Sequence, residues 1–153
     1  MTLTFETEED YEGTTAYMFG RDSYYDGPCA RRYDPYVHAE DLGLPIIYRE
    51  LPRDDIDACY SEEHHAIFVR PNLHGIVERC AIAHEIVHFE HGDVGDDRKQ
   101  EDRADRISAR RLVRPRDVYD SLEFTNDMER VALEIEVTEK VMAIFIREFA
   151  NRA

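Results

Sequence analysis

Apolar positions fall in short separate groups up to about residue 70 and then in helical spacing to the end of the chain. Pro35 opens a run that reads as a short helix over 35–41, stopped by Gly43. Three β-rich runs follow, at 45–50, 58–61 and 65–70, the last two placed around the polar S-E-E-H as a hairpin. Pro71-Asn72 then leads into a helix over 73–91. G-D-V-G-D-D reads as a loop, and 98–114 as the next helix. Pro115 starts another short helix. Thr125 or Asn126 can cap the one after it, with Glu129 completing a capping box, and Thr138 can cap the last, over 139–151. The pattern predicts an α+β fold, with a small three-stranded sheet packed on the 73–91 helix and on a C-terminal set of helices.

The most informative stretch is 80–89, C-A-I-A-H-E-I-V-H-F, in which seven of ten residues are apolar. Such a helix is buried, yet it carries His84, Glu85 and His88. Buried ionisable groups must be paired or bound to metal. His84 and His88 are four residues apart and so share one helical face. Two imidazoles there can hold one Zn²⁺, with Glu85 beside them as a general base. A helix with two satisfied core histidines and no metal is the plainer alternative. A purely structural zinc site, however, has no use for a carboxylate beside its ligands.

A catalytic zinc takes three protein ligands. The candidates for the third are His91, Asp93, Asp96, Asp97, Glu101 and Asp102. His91 lies on the same rigid helix as His84 and His88, which hinders convergence on one tetrahedral ion. Asp93, Asp96 and Asp97 belong to an acidic loop and read as solvated. Glu101 opens a helix that can fold back, with Asp105 on the same face at i+4. Ala104 and Ser108 are small enough for two helices to approach closely. Asp105 then reads as the partner for the second nitrogen of His84 or His88. Tyr60 and His65 are candidate oxyanion donors, and strand 65–70 can offer its edge to an extended peptide.

Composition adds limits. The 153 residues are 42% apolar, enough for one core. No apolar run is long enough for a membrane span, and the N-terminus does not read as a secretory signal. Cys29, Cys59 and Cys80 show no C-x-x-C, which favours free thiols in a reducing compartment. The formal net charge of −15 argues against binding nucleic acid directly and suits a basic protein partner. Residues 1–30 hold seven acids, one Arg and many Tyr, Gly and Thr. They read as a weakly ordered or separately packed arm ahead of one domain over 31–153. The opposite bias, eight Arg/Lys against three acids over 98–116, reads as a solvated helix face matched to the helix dipole. Positions 132–138 faintly match a helix-turn-helix pattern. Six acids against four bases over 127–152 favour core helices over a DNA reader.

A-H-E-I-V-H-F-E-H-G-D followed by E-D-R-A-D-R-I-S-A-R-R-L-V resembles the ImmA/IrrE family of metallopeptidases. That family pairs an H-E-x-x-H helix with a downstream E-x-x-A-[DN]-x-x-A-x-x-[LM] helix, similar to the wider gluzincins. The resemblance covers about 35–145 and includes H-A-E-D-L-G-L-P-I, I-F-V-R-P-N-L and V-A-L-E-I-E-V-T. It implies a zincin-like fold, zinc on His84, His88 and Glu101, Glu85 as general base and Asp105 behind a ligand. It further implies a cytoplasmic protein of a phage or mobile element that cleaves a helix-turn-helix repressor. The chain departs from the family in two respects. No DNA-binding domain of its own is evident, and residues 1–30 have no family counterpart. Ser108 also stands where the family commonly has Ala. The rival reading is a non-catalytic zinc-binding regulator that sequesters a basic DNA-binding partner.

Overall fold

The computed structural model describes residues 32–152, so the acidic arm at 1–30 and Cys29 lie outside the described residues. Among them are six helices and one three-stranded sheet, an α+β fold. Helix α1 (Pro35–Asp41) starts because Asp34 accepts the N–H groups of Tyr36 and Val37 and Pro35 presets the first turn. Gly43, at φ 69°, turns the chain into β1 (Ile46–Tyr48). Strands β2 (Ala58–Ser61) and β3 (Ala66–Val69) follow. The sheet order is β1-β3-β2, with β3 parallel to β1 and antiparallel to β2. Both edges of β3 are therefore used. The edge expected on 65–70 is not available, and the free edge next to the motif helix belongs to β2.

Helix α2 (Gly75–His91) has no solvent side in its central turns, because each flank faces a different core. Ile82 and Ile86 pack with Ile67, Val69, Leu44 and Ala58 of the sheet half. Cys80 and Ala83 pack with Leu112, Val131, Met142 and Phe145 of the helical half. Angularly, His84 and His88 fall on the strip between these two flanks.

Helix α3 (Arg98–Leu112) is capped by Asp97, whose side chain accepts the N–H groups of Lys99 and Gln100. Ala104 and Ser108 are buried on α3, a helix that packs against α2. The arginines of its last turn depart from expectation. Arg110 and Arg111 are buried at 7% and 3% exposure and are not on a solvated face. Each is paired, Arg110 with Glu148 at 3.2 Å and Arg111 with Glu90 at 2.6 Å. Pairing is the condition on which arginine enters a core.

Helices α4 (Pro115–Leu122), α5 (Met128–Glu134) and α6 (Glu139–Arg152) complete the fold. The cap of α5 is Asp127, not Thr125 or Asn126, and it takes the N–H groups of Glu129 and Arg130. Thr125 accepts the Asp127 N–H instead. Thr138 caps α6 as expected, accepting from the Val141 N–H at 3.2 Å. No helix among the described residues is long and apolar enough to cross a membrane.

The α5–α6 turn carries a local strain. Glu136 sits at φ 60°, where its Cβ is crowded, and its carbonyl accepts Arg79 at 2.7 Å. Its own ion pair with Arg32 is exposed and worth little. Glu136→Gly is expected to stabilise the chain by about 0.5–1 kcal/mol, relief of the left-handed strain outweighing the entropy of glycine. Thermal unfolding checks this, and a lower midpoint than the wild type counts against it.

Candidate metal centre

Four helical turns and one loop residue bring six polar groups together. His84 and His88 lie edge-to-face with ring centroids 4.8 Å apart and their Nε2 atoms 3.1 Å apart. Glu101, in the first turn of α3, reaches both. Its Oε2 is 3.0 Å from His84 Nε2, and its Oε1 is 3.0 Å from His88 Nε2.

The far side of each ring is also occupied. His84 Nδ1 lies 3.0 Å from Asp105 Oδ1, and His88 Nδ1 lies 3.0 Å from Asp93 Oδ2. An ionised carboxylate only accepts, so each neutral ring carries its hydrogen on Nδ1. Both Nε2 atoms are then bare lone pairs aimed at one another and at a third acceptor, Glu101. Three acceptors about 3 Å apart repel unless a proton or a cation lies among them. A tetrahedral ion with ligand bonds of about 2.0–2.1 Å holds its ligands about 3.3 Å apart. The donor set and its spacing fit zinc.

The electrostatics of the chain on its own show the same tension. Burial drives the His84 imidazole down, but the Asp105 and Glu101 carboxylates outweigh it and leave the pKa raised to about 9. Its hydrogen bond to His84 holds Glu101 below the usual carboxylate range against the effect of burial. For Asp105, burial is outweighed by His84 and Lys140, so it too lies low.

Glu85 stands apart from this set. One donor atom each from His84, Glu85 and His88 lie within 4.8 Å of one another, so Glu85 is near enough to compete as a ligand. Glu101 is nearer to both imidazoles, and Glu85 Oε2 is already engaged by the Tyr60 N–H at 2.8 Å. Burial pushes the Glu85 carboxyl up, against the pull of His84 and His88. A raised carboxyl beside a metal centre is suited to taking a proton.

The remaining candidates lie elsewhere. His91 Nδ1 is bonded to the Val87 carbonyl at 3.1 Å, away from the two imidazoles. Asp96 pairs with Arg53, and Asp97 caps α3. Asp93 corrects the sequence reading, since it is buried at 8% exposure behind His88 and is not a solvated loop acid. The signal was present in Gly92, whose left-handed cap turns the next residue back over the helix end. The Tyr60 and His65 rings both pack edge-on against Phe89.

Two clefts flank the centre and share Ile56, Ala58, Glu85 and Glu101 as walls. One, of about 400 Å³, is lined by Val77, Ala81, Val141 and Ile144 with Lys140. The other, of about 710 Å³, is lined by Arg53, Cys59, Tyr60 and His88. Strand β2 borders both. The Arg70 N–H donates to the Asp57 carbonyl at 2.9 Å, which sets the ladder phase. Cys59 and Ser61 therefore bond to β3, while Ala58 and Tyr60 turn their N–H and C=O groups outward.

The chain matches the family model of the IrrE N-terminal-like domain over residues 39–147, a span that holds every residue of the centre. No curated protein matches it. That match covers well over half the sequence, and with it the chain belongs to the ImmA/IrrE family of zinc metallopeptidase-like proteins.

Proposed function

We propose that the chain is a zinc-dependent endopeptidase that cuts a helix-turn-helix transcriptional repressor in the cytoplasm, within the regulation of a phage or mobile element. The observation that carries this reading is the convergence of His84, His88 and Glu101, with Glu85 half-buried beside them and left out of the acceptor set. His84, His88 and Glu101 would hold the ion. When bound, zinc supplies Lewis acidity toward a water and the scissile carbonyl.

The rest is the work of the chain. Asp105 holds the His84 ring by its Nδ1 hydrogen, so that Nε2 faces inward. Glu85, anchored through one oxygen on Tyr60, takes a proton from the attacking water and returns it to the leaving amine. With the Tyr60 N–H held by Glu85, the outward N–H and C=O of Ala58 and the C=O of Tyr60 offer ladder bonds to an extended segment. A substrate taken this way must be unfolded locally, as a linker between repressor domains is. A basic DNA-binding domain is also drawn toward a chain of net charge −15.

The test is in two parts. The purified chain should bind about one Zn²⁺, and His88→Ala and Glu101→Ala should each lose it. Full zinc content in both variants would sink the ligand assignment. The zinc-loaded chain is then incubated with any helix-turn-helix repressor found encoded beside its gene, and the fragments are read by mass spectrometry. An intact repressor would count against the endopeptidase reading.

A further inference from the structure

The two imidazoles of the centre are backed by carboxylates from different places. Asp105 lies on α3, one turn beyond Glu101. Asp93 lies outside both helices, just after Gly92 ends α2 at φ 64°. The Asp93 N–H donates to the His88 carbonyl at 3.0 Å, which folds the residue back over the last turn. Its Oδ2 then accepts from His88 Nδ1 at 3.0 Å. Its Oδ1 is paired with Nη2 of Arg103 on α3. The Asp93 side chain is only 3% exposed. Both of its oxygens are thus committed, one to each side.

Nδ1 and Nε2 lie on diverging edges of the imidazole ring. A carboxylate on Nδ1 of His88 cannot also reach an ion at Nε2, so this geometry excludes Asp93 as a ligand. Arg103 is placed at some cost. Its Nε is buried without a hydrogen-bond partner among the described residues. A buried donor left unmet is destabilising. The Asp93 contact is what the guanidinium gains in return.

We propose that Asp93 and Arg103 form a positioning pair for the metal centre. Asp93 fixes the tautomer and ring angle of His88, and Arg103 fixes Asp93. Arg103 stands between Glu101 and Asp105 on α3, so the pair also ties the helix that brings the third donor to the end of the helix that brings the first two. The inference rests on the zinc-binding part of the function proposed above and is independent of whether any peptide is cut.

The experiment measures zinc affinity of the full chain by competition with a chromophoric chelator. Variants are Asp93→Asn, Arg103→Met, the double variant and, as a control, Asp96→Asn on the exposed part of the same loop. Asp93→Asn should weaken zinc binding by about 10–100-fold. Arg103→Met should weaken it in the same direction, and the double variant should bind no more weakly than Asp93→Asn, because Arg103 acts through Asp93. Asp96→Asn should leave the affinity unchanged. With Co²⁺ as the probe, wild type and Asp93→Asn should show the same tetrahedral visible spectrum, since no ligand is removed. Circular dichroism confirms that each variant is folded at the temperature of measurement. If Asp93→Asn does not fold, Arg103→Met carries the same comparison. Wild-type affinity in both single variants overturns the proposal, as does a Co²⁺ spectrum in Asp93→Asn that has lost one ligand. Fully additive losses in the double variant overturn the role given to Arg103. A wild-type chain that binds no zinc overturns the metal reading itself, an outcome distinct from all of these.

Discussion

Glu85→Gln is expected to retain zinc and fold while lowering repressor hydrolysis by about 10²–10⁴-fold, the usual loss when a general base is removed. The amide keeps the size of the carboxylate, and its oxygen can still accept the Tyr60 N–H that holds Glu85 at 2.8 Å. Glu101 and both imidazoles are untouched, so the ion has no reason to leave. What is lost is a group able to receive a proton. Zinc content, circular dichroism and cleavage rate are measured on the same preparations. Equal cleavage by both proteins would remove Glu85 from the chemistry. Capture of the repressor by both, with cleavage by neither, would move the sequestering regulator ahead of the endopeptidase.

Arg111→Met should destabilise the fold by about 3–5 kcal/mol, the range for breaking a buried ion pair from one side. The Arg111 and Glu90 side chains are 1% and 5% exposed, and the pair spans α3 and α2 at 2.6 Å. Burial already pushes the Glu90 carboxyl up, and Arg111 opposes that push. Without the guanidinium, the carboxylate must either take a proton or stay charged in the core beside the His38 imidazole, at 3.7 Å. The midpoint of thermal unfolding should fall by roughly 10–20 °C for a domain of this size. Adding Glu90→Leu to Arg111→Met should recover a large part of the loss, because no charge then remains unpaired. A midpoint within about 3 °C of wild type in Arg111→Met would show that the pair contributes little.

What the sequence revealed and what it hid divide along local and non-local lines. The motif helix, the return of Glu101, Asp105 behind His84 and the small faces of Ala104 and Ser108 depend on spacing within one helix or between two neighbours. Such spacing is written in the chain. Strand order is not, and so the edge expected on β3 belongs to β2. Arg110 and Arg111 sit in a basic run whose pattern is that of a solvated face. Their partners, Glu148 and Glu90, lie 38 and 21 positions away. Asp93 fell between these cases. Its position after Gly92 was visible, but the meaning of that glycine depends on a left-handed turn that several residue types can supply.

Helix α2 is a wall of both cores, with Ile82 and Ile86 on the sheet side and Cys80 and Ala83 on the helical side. Neither half can melt while the other stays whole, because each would strip one flank of the same helix. The sheet and the helical half are thereby made into one cooperative unit, and the strip that carries His84 and His88 runs along its seam. A loosening of either core along α2 therefore bears on the turns that carry His84 and His88.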